Sequence, residues 1–336
     1  DLTEAEANID EAFGLLDESA EADPLLRLAG LQLKANILID QGRTQAAERL
    51  LIEALAVAQL NAPASIFEAT TQRELAEFYM QQNRQSEALA YAKTASDQLA
   101  ASNAPAEARL ADPDFARRIA TEFCDRRISA GTTAAMVFGS AFPHAQDALF
   151  TETRRRGLRI VSGRGIQTVG PASAGALITS EADALRLTRQ EIETWHAADT
   201  NDVATALLHV AIVPRFSLSV TAETLKGLGE LYDSVRDRGV YLHTHLNENN
   251  RPGTGEIDTV KRLFGVESYL DTYDGKFLPG SSVGGSSLLG RRTILAHCVH
   301  CSDTELARMA ETSTSIAHCP VSQLFLGSGT MPWRRT

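Results

Sequence analysis

The sequence predicts an α/β protein, an incomplete (β/α)8 barrel of the TIM type that follows an all-α domain of helical repeats. After about residue 104, short apolar or β-branched runs alternate with punctuated helices, whereas the preceding residues are rich in Ala, Leu, Glu and Gln. Only 3 of the 23 glycines and none of the eight histidines lie in that preceding part. We therefore place a domain boundary near Asn103, between a helical domain of residues 1–103 and a barrel domain of residues 104–336.

The composition is that of an ordinary globular protein, with 336 residues of which 43% are hydrophobic and 22% are charged. The net charge of −11 argues against nucleic acid as a partner, because a phosphate binder needs a positive field. No run approaches the roughly 20 apolar residues that span a bilayer, and no secretory signal is visible. The four cysteines fit a reducing compartment, so a cytoplasmic protein is expected.

Apolar residues at helical spacing predict stacked amphipathic helices in the first domain. Small residues recur there with a period of 42 and then 41 residues: Ala5, Ala47 and Ala88, then Ala12, Ala54 and Ala95, with Gly42 and Asn83 at matching turns. This pattern resembles a tetratricopeptide array, although the usual period is about 34 residues. Such arrays bind peptides or proteins, so residues 1–103 are predicted to bind a partner. Alanine-rich hairpins in accidental register are the alternative.

Six strands are predicted in the barrel domain, at 132–138, 159–162, 207–213, 240–245, 293–297 and 314–318. The first helix opens at Asp112-Pro113, with a capping residue and a proline, and Gly131 follows its end. Later helices are predicted to start near Thr188, Thr221, Glu256 and Ser302. The first and last of these have a glutamate three residues later, the spacing of a capping box. Six such units without a dinucleotide-binding fingerprint favour a barrel over a doubly wound sheet.

Polar side chains close or follow the predicted strands, where such barrels place their chemistry: Arg215, His245, His297 and His318. The segment 243–248 places two imidazoles on one face of a strand, with the carboxylate of Glu248 beyond its end. Neutral imidazoles bind zinc, and a nearby glutamate can take a proton from metal-bound water. The strand-end histidines are therefore predicted to be metal ligands rather than hydrogen-bonded core residues. A structural zinc site at Cys298 and Cys301 ranks lower, because no second cysteine pair has this spacing.

Six motifs follow one another along the barrel domain: Gly131-Thr132-Thr133, Pro214-Arg215-Phe216, the segments 243–249 and 269–273, Leu295-Ala296-His297, and His318-Cys319-Pro320 with 322–329. As an ordered set, over about residues 105–333, they resemble the guanine deaminases of the amidohydrolase superfamily of metal-dependent barrels. This resemblance implies one zinc ion as cofactor, a small-molecule purine as substrate, and the hydrolytic deamination of guanine to xanthine and ammonia.

The resemblance also implies roles for individual residues. His245 and His297 would be zinc ligands, Glu248 the catalytic proton shuttle, and Arg215 with Phe216 part of the purine pocket. His243 stands where the family often has glutamine, so we do not count it as a ligand. Arg215 presents a fork of donors suited to a purine carbonyl, and a surface ion pair is its alternative role.

Two parts of the family pattern have no counterpart in this sequence: a first strand with a His-x-His pair, and an eighth strand that ends in a metal-binding aspartate. Strands 2–7 of eight are therefore expected, with unpaired outer strands. Two imidazoles fall short of the three protein ligands usual at catalytic zinc, so weak binding and impaired activity are expected. A fusion, an artificial chain or a fragment of a longer reading frame would each explain the junction near Asn103.

Two other functions stay open from the sequence. The barrel could act on another aminated heterocycle, such as a pterin, a cytosine or a triazine. Alternatively, the chain could be a non-enzymatic protein that binds a partner through residues 1–103. A substrate panel separates the first from guanine deamination, and stoichiometric zinc would count against the second. We also expect a homo-oligomer.

Overall fold

The structure is a computed structural model that describes residues 2–18, 23–63, 66–102, 107–170, 172–200, 202–250, 255–278 and 280–332. The chain divides into two compact units, Asp1–Pro105 with Pro320–Thr330, and Ala106–Cys319 with Met331–Thr336. Asn103, where the sequence places a domain boundary, lies outside the described residues, as do residues 105 and 333 at the ends of the family resemblance.

The first unit is helical, as predicted. Its helices are α1 (Leu2–Glu18), α2 (Pro24–Asp40), α3 (Thr44–Asn61), α4 (Ile66–Gln81), α5 (Gln85–Ser102) and the later α12 (Pro320–Phe325). Helices α1, α2, α3 and α4 each pack against the next helix along the chain. Helix α2 starts where the Asp23 carboxylate accepts a hydrogen bond from the Leu25 amide, one residue after a proline at the first turn. Gly42 and Asn83 follow α2 and α4 with left-handed φ angles of 74° and 59°, which turn the chain into the next helix.

The alanines of the predicted repeat differ in burial. Ala47, Ala54 and Ala88 are buried, whereas Ala5 is half-buried and Ala12 is exposed. The side chain of Ala95 lies outside the described residues. Buried alanines let neighbouring helices approach closely, but the tetratricopeptide interpretation stays a prediction.

The second unit contains a parallel sheet. Its strands in the described residues are β1 (Ala134–Phe138), β2 (Arg159–Gly163), β3 (Gly165–Ile166), β4 (Leu208–Pro214), β5 (Tyr241–Leu246), β6 (Thr293–His297) and β7 (Ser315–Ala317). They lie in the order β1, β2, β4, β5, β6, β7, with β3 paired to β4, and every pairing is parallel. The helices of this unit are α6 (Pro113–Ser129), α7 (Pro143–Arg156), α8 (Glu181–Trp195), α9 (Ala222–Val235), α10 (Glu256–Phe264) and α11 (Asp303–Glu311).

This architecture confirms the predicted incomplete (β/α)8 barrel, in which β1 and β7 are the outer strands of the described sheet. Strand β4 is buried at every position, as expected for a central parallel strand that is covered on both faces. Strand β1 is only half-buried along most of its length. Within the described ranges, no helix is long and apolar enough to cross a membrane.

All six predicted strands are present, but one predicted helix start is wrong. Helix α8 begins at Glu181, where the Ser180 hydroxyl accepts a hydrogen bond from the Asp183 amide. Thr188 lies inside this helix, buried, and its hydroxyl donates to the Ala184 carbonyl at 2.7 Å. A capping box stands at the start of a helix. Thr188 and Glu191 have the residue types and spacing of such a box, but they lie inside α8. The short β3 and helix α7 were not predicted.

Candidate active site

The candidate site lies where β5 and β6 end. The two strands run in a register that pairs His245 with Ala296 and Leu246 with His297. His243 and His245 are two residues apart on β5, so their side chains lie on the same face of the sheet. The rings of His245 and His297 stack with their centroids 5.1 Å apart and their planes inclined by 24°. The structure therefore brings the two predicted metal ligands together.

A hydrogen bond to the Arg215 carbonyl fixes the tautomer of His245. Its Nδ1 lies 2.6 Å from the main-chain carbonyl oxygen of Arg215. A carbonyl only accepts, so Nδ1 carries the proton and Nε2 keeps its lone pair, as is typical of metal-binding histidines. Burial lowers the pKa of His245, although the Arg215 carbonyl acts in the opposite direction. The ring is therefore neutral at pH 7.

Glu248 follows β5 and faces His297, with its Oε1 atom 3.3 Å from Nδ1 of the imidazole. Burial raises the pKa of Glu248 to about 7, and the nearby carboxylate of Glu256 adds to this effect. Burial, and to a smaller extent His245, lowers the pKa of His297 to about 4. At neutral pH the imidazole is uncharged and the carboxyl group can either gain or lose a proton. This property suits a general acid–base residue.

Three residues at these strand ends have left-handed backbone conformations, which are uncommon outside glycine: Asn247 with φ 49°, His297 with φ 74° and Cys298 with φ 53°. Asn247 is held by bonds from its side chain and its main chain. Its Nδ2 donates to Oε2 of Glu305 at 2.9 Å, and its carbonyl accepts from the His300 amide at 3.1 Å. These bonds fix the turn that directs Glu248 towards His297. Such conformations persist only where their surroundings impose them.

Phe138, the last residue of β1, stacks against two histidines of β5. Its ring centroid lies 3.8 Å from that of His243 and 4.2 Å from that of His245, and both pairs of planes are inclined by 20°. With His297 beyond His245, the four side chains His243, Phe138, His245 and His297 form what we call the ring stack. His243 is buried, and neither of its ring nitrogens has a hydrogen-bond partner among the described residues. Burial lowers the pKa of His243 to about 3, so this ring is also neutral.

A cleft of about 330 Å³ opens beside His245 and Phe138. The C-terminal ends of strands β1 and β2 lie close together at the wall of this cleft. A Cβ atom at Gly139 would lie 2.3 Å from Oε1 of Gln146 and 2.4 Å from the carbonyl oxygen of Gly163. Only glycine fits at position 139, so main-chain atoms without a side chain form the wall of the cleft at this point.

Arg215 lines the cleft, whereas Phe216 is half-buried and is not among the lining residues. The Arg215 amide donates to the Ile166 carbonyl at 3.1 Å, and its Nη1 donates to Oε1 of Gln167 at 3.4 Å. Within the described part of the chain Arg215 forms no ion pair, so most of its guanidinium donors remain available to a ligand. The structure therefore brings Arg215, but not Phe216, to the wall of the cleft.

His245 and His297 offer two imidazoles to a metal ion. A catalytic zinc site uses three protein ligands. Across the residues that the structure describes, no group of three or more His, Cys, Asp or Glu side chains is placed to hold a metal ion. The arrangement described therefore does not form a complete zinc site.

The alternative zinc site at Cys298 and Cys301 gains no support from the thiols. Both are buried, and Cys301 accepts a hydrogen bond from Nδ2 of Asn247 at 3.3 Å. A hydrogen bond with Cys301, together with burial, raises the pKa of Cys298 well above its ordinary value. Zinc binds thiolates, and Cys298 is held as a thiol.

The lining residues that sequence reasoning missed include Glu107, Phe138 and Gln167. Oε1 of Glu107 accepts a hydrogen bond from the Ala141 amide at 3.1 Å. Phe138 and Gln167 stand at strand ends, a position that could have indicated them. No comparable signal marks Glu107.

The sequence matches the amidohydrolase family over residues 79–336. The probable guanine deaminase of Deinococcus radiodurans is 38% identical over 234 residues, which are 69% of this chain and 47% of that protein. The solved guanine deaminase of E. coli is 31% identical to this chain, with a TM-score of 0.59. The match covers 68% of this chain and 48% of the E. coli chain. The guanine deaminase of C. acetobutylicum, solved with guanine bound in the active site, is 27% identical to this chain, with a TM-score of 0.59. The match covers 71% of this chain and 52% of the C. acetobutylicum chain. This chain spans about half the length of these proteins.

Proposed function

Because this chain belongs to the amidohydrolase family, we propose that it carries out the hydrolytic deamination of an aminated purine, with guanine converted to xanthine and ammonia. The observation that supports this most is the placement of Glu248 against His297, next to the stacked ring of His245, at the ends of adjacent parallel strands. Barrels of this type place their reacting groups at those ends. The similarity to proteins named guanine deaminases, at 38% and 31% identity, supports the choice of substrate.

In this proposal Glu248 takes a proton from the attacking water and gives it to the departing amino nitrogen. A carboxyl group with a pKa of about 7 can perform both transfers near neutral pH. Arg215 donates N–H bonds to the carbonyl oxygen of the ring and so orients the base in the cleft. The cleft volume of about 330 Å³ falls within the range of small-molecule sites.

Zinc belongs to the proposal as the ion that His245 and His297 would bind. Two imidazoles are fewer than a catalytic zinc site uses, so no reaction step is assigned to the ion and weak binding is expected.

Xanthine formation from guanine, followed by chromatography with and without added zinc, tests the proposal. We expect Glu248→Gln to abolish product formation, and Glu267→Gln, which changes an exposed carboxyl group, to leave it unchanged. Guanine should be preferred over a pterin, a cytosine and a triazine. If high protein concentrations with zinc yield no xanthine, or if both variants are equally active, the proposal is wrong for this chain.

Three further expectations stay predictions: a peptide or protein partner for residues 1–103, a homo-oligomer, and a cytoplasmic location. Pull-down with residues 1–103, sedimentation and cell fractionation would test them separately.

A further inference from the structure

We propose that Glu107 is a specificity-determining residue of the cleft, and that its carboxylate accepts a hydrogen bond from the N–H group on the five-membered ring of the purine. This inference rests on the proposed function and deepens it by naming the class of substrate. The substrates would be free purine bases rather than nucleosides, in which a sugar takes the place of that hydrogen.

The first reason is that Glu107 is a fixed carboxylate on the wall of the cleft. Its Oε1 atom accepts a hydrogen bond from the Ala141 amide at 3.1 Å, and Ala141 also lines the cleft. The segment that carries Glu107 is held a second time, since the Leu110 carbonyl oxygen lies 2.7 Å from Nε2 of His144. A group that is already held in place loses little conformational entropy when it binds a ligand.

The second reason is the other oxygen of this carboxylate. Glu107 is half-buried, and within the described part of the chain its Oε2 atom has no hydrogen-bond partner. Arg215 lines the same cleft, yet among the described residues it forms no ion pair with Glu107. An acceptor and a donor of opposite charge that do not pair with each other suit a ligand that carries both an N–H group and a carbonyl.

The third reason is the order of the side chains across the sheet. Glu107 is held just beyond the end of β1, Arg215 follows β4, and Glu248 follows β5, and the strands lie in the order β1, β2, β4, β5. Along one edge of guanine, the ring nitrogen N7 is followed by the carbonyl at C6 and then by the amino group at C2. With the amino group at Glu248 and the carbonyl at Arg215, N7 lies towards Glu107. A carboxylate there accepts from N7–H and repels the lone pair that N7 carries in a base substituted at N9.

Calorimetric titration of the full chain with hypoxanthine tests the proposal without turnover. This purine keeps the carbonyl and the N–H of the five-membered ring but has no amino group to lose. In 9-methylhypoxanthine that N–H is absent, so the wild type should bind it about 10–100-fold more weakly, the loss expected for a hydrogen bond to a charged group. In Glu107→Gln, Oε1 can still accept from the Ala141 amide while Nε2 donates to the lone pair of N7. This variant should bind 9-methylhypoxanthine at least as tightly as hypoxanthine.

Glu267→Gln changes an exposed carboxyl group outside the cleft lining and should keep the wild-type preference. If Glu107→Gln does not fold, as judged by circular dichroism, Glu107→Ala replaces it and should bind the two ligands equally. Equal binding of both ligands by the wild type would overturn the proposal, as would a wild type that binds neither. A preference that survives in the Glu107 variant would also overturn it, because crowding of the methyl group would then be the cause. If the preference depends on Glu107 but guanine yields no xanthine, the proposed function fails and the role of Glu107 in binding stands.

Discussion

Asn247 and Glu305 are joined by a buried hydrogen bond of 2.9 Å, from Nδ2 of the amide to Oε2 of the carboxylate. The same carboxylate accepts from the Ser302 amide at 2.8 Å, which closes the capping box of α11, and from the Ser268 hydroxyl at 2.6 Å. One side chain thus ties together the turn after β5, the start of α11 and the loop at Ser268. Glu248 directly follows Asn247, so its approach to His297 depends on these bonds.

Glu305→Ala is expected to lower the free energy of unfolding by about 3 kcal/mol or more, because it leaves several buried donors without an acceptor. Urea denaturation followed by circular dichroism measures the change. Glu311→Ala, on the same helix, removes an exposed carboxylate that pairs with Arg308 at 3.1 Å. Surface pairs of this kind contribute about 0–1 kcal/mol. Equal losses in the two variants would show that Glu305 does not have this role.

Gly163 is the second position with a sharp structural requirement. A Cβ atom there would lie 1.8 Å from the main-chain carbonyl oxygen of Ala211, on the neighbouring β4. Because a backbone atom cannot swing aside, Gly163→Ala is expected to disturb the pairing of β2 with β4 and to cost about 3 kcal/mol or more. Thermal unfolding measures this.

Gly14→Ala is the matched control, since no atom lies within 4 Å of the added Cβ and the residue is inside helix α1. It should stabilise the protein by about 0.5–1 kcal/mol. A wild-type Tm for Gly163→Ala would contradict the packing described for β2 and β4.

The sequence predicted the parallel half-barrel because its strands are compact apolar runs, and because Asp112, Thr221 and Ser302 cap the helices that follow. It placed one helix start wrongly, since the spacing from Thr188 to Glu191 carries no information about burial. Helix α7 was missed, because the residue at its N-cap, Phe142, makes no side-chain capping bond. The sequence therefore predicted the starts of α6, α9 and α11 correctly, where a side chain caps the helix, and missed the start of α7, where none does.

For the site, strand-end position was enough to bring His245, His297 and Glu248 together. The place of Phe138 between two histidines could not be predicted, because it depends on how a side chain from β1 crosses to β5 in three dimensions. Gln167 follows a strand of two residues, too short to give a sequence pattern. These omissions share one cause, since tertiary packing determines each contact.

Arg215→Lys keeps the positive charge but loses the planar fork of donors. If Arg215 binds the ring carbonyl, the KM for guanine should rise about 10–100-fold, the equivalent of a charged hydrogen bond of about 1.5–3 kcal/mol. Steady-state kinetics, or calorimetric binding of xanthine where turnover is slow, gives the value. Arg189→Lys, on the exposed face of α8, is the control. Unchanged affinity in Arg215→Lys would remove this residue from the purine pocket.

Glu191 links the stability of the second unit to pH. Its carboxylate is buried beside Arg164, whose amide donates to Oε2 at 2.9 Å, while the Arg164 guanidinium donates to the Ala141 and Ala184 carbonyls. Burial raises the pKa of Glu191 to about 7, against the opposing effect of the Arg164 amide. In the unfolded chain the pKa is about 4.3. Between these values the folded state holds a proton that the unfolded state has lost.

The contribution of Glu191 to the free energy of unfolding is therefore fully present below about pH 4. It falls as the pH rises towards 7 and stays low at higher pH. The total change is on the order of 3 kcal/mol. Glu191→Gln stays uncharged, and its amide oxygen can still accept from the Arg164 amide. The variant should match the wild type at pH 5 more closely than at pH 8, where it should be the more stable protein in urea denaturation. Glu193→Gln changes an exposed carboxyl group on the same helix, paired with Arg238, and should show no gain at pH 8. A Glu191→Gln variant destabilised equally at both pH values would mean that the carboxylate is ionised in the folded protein.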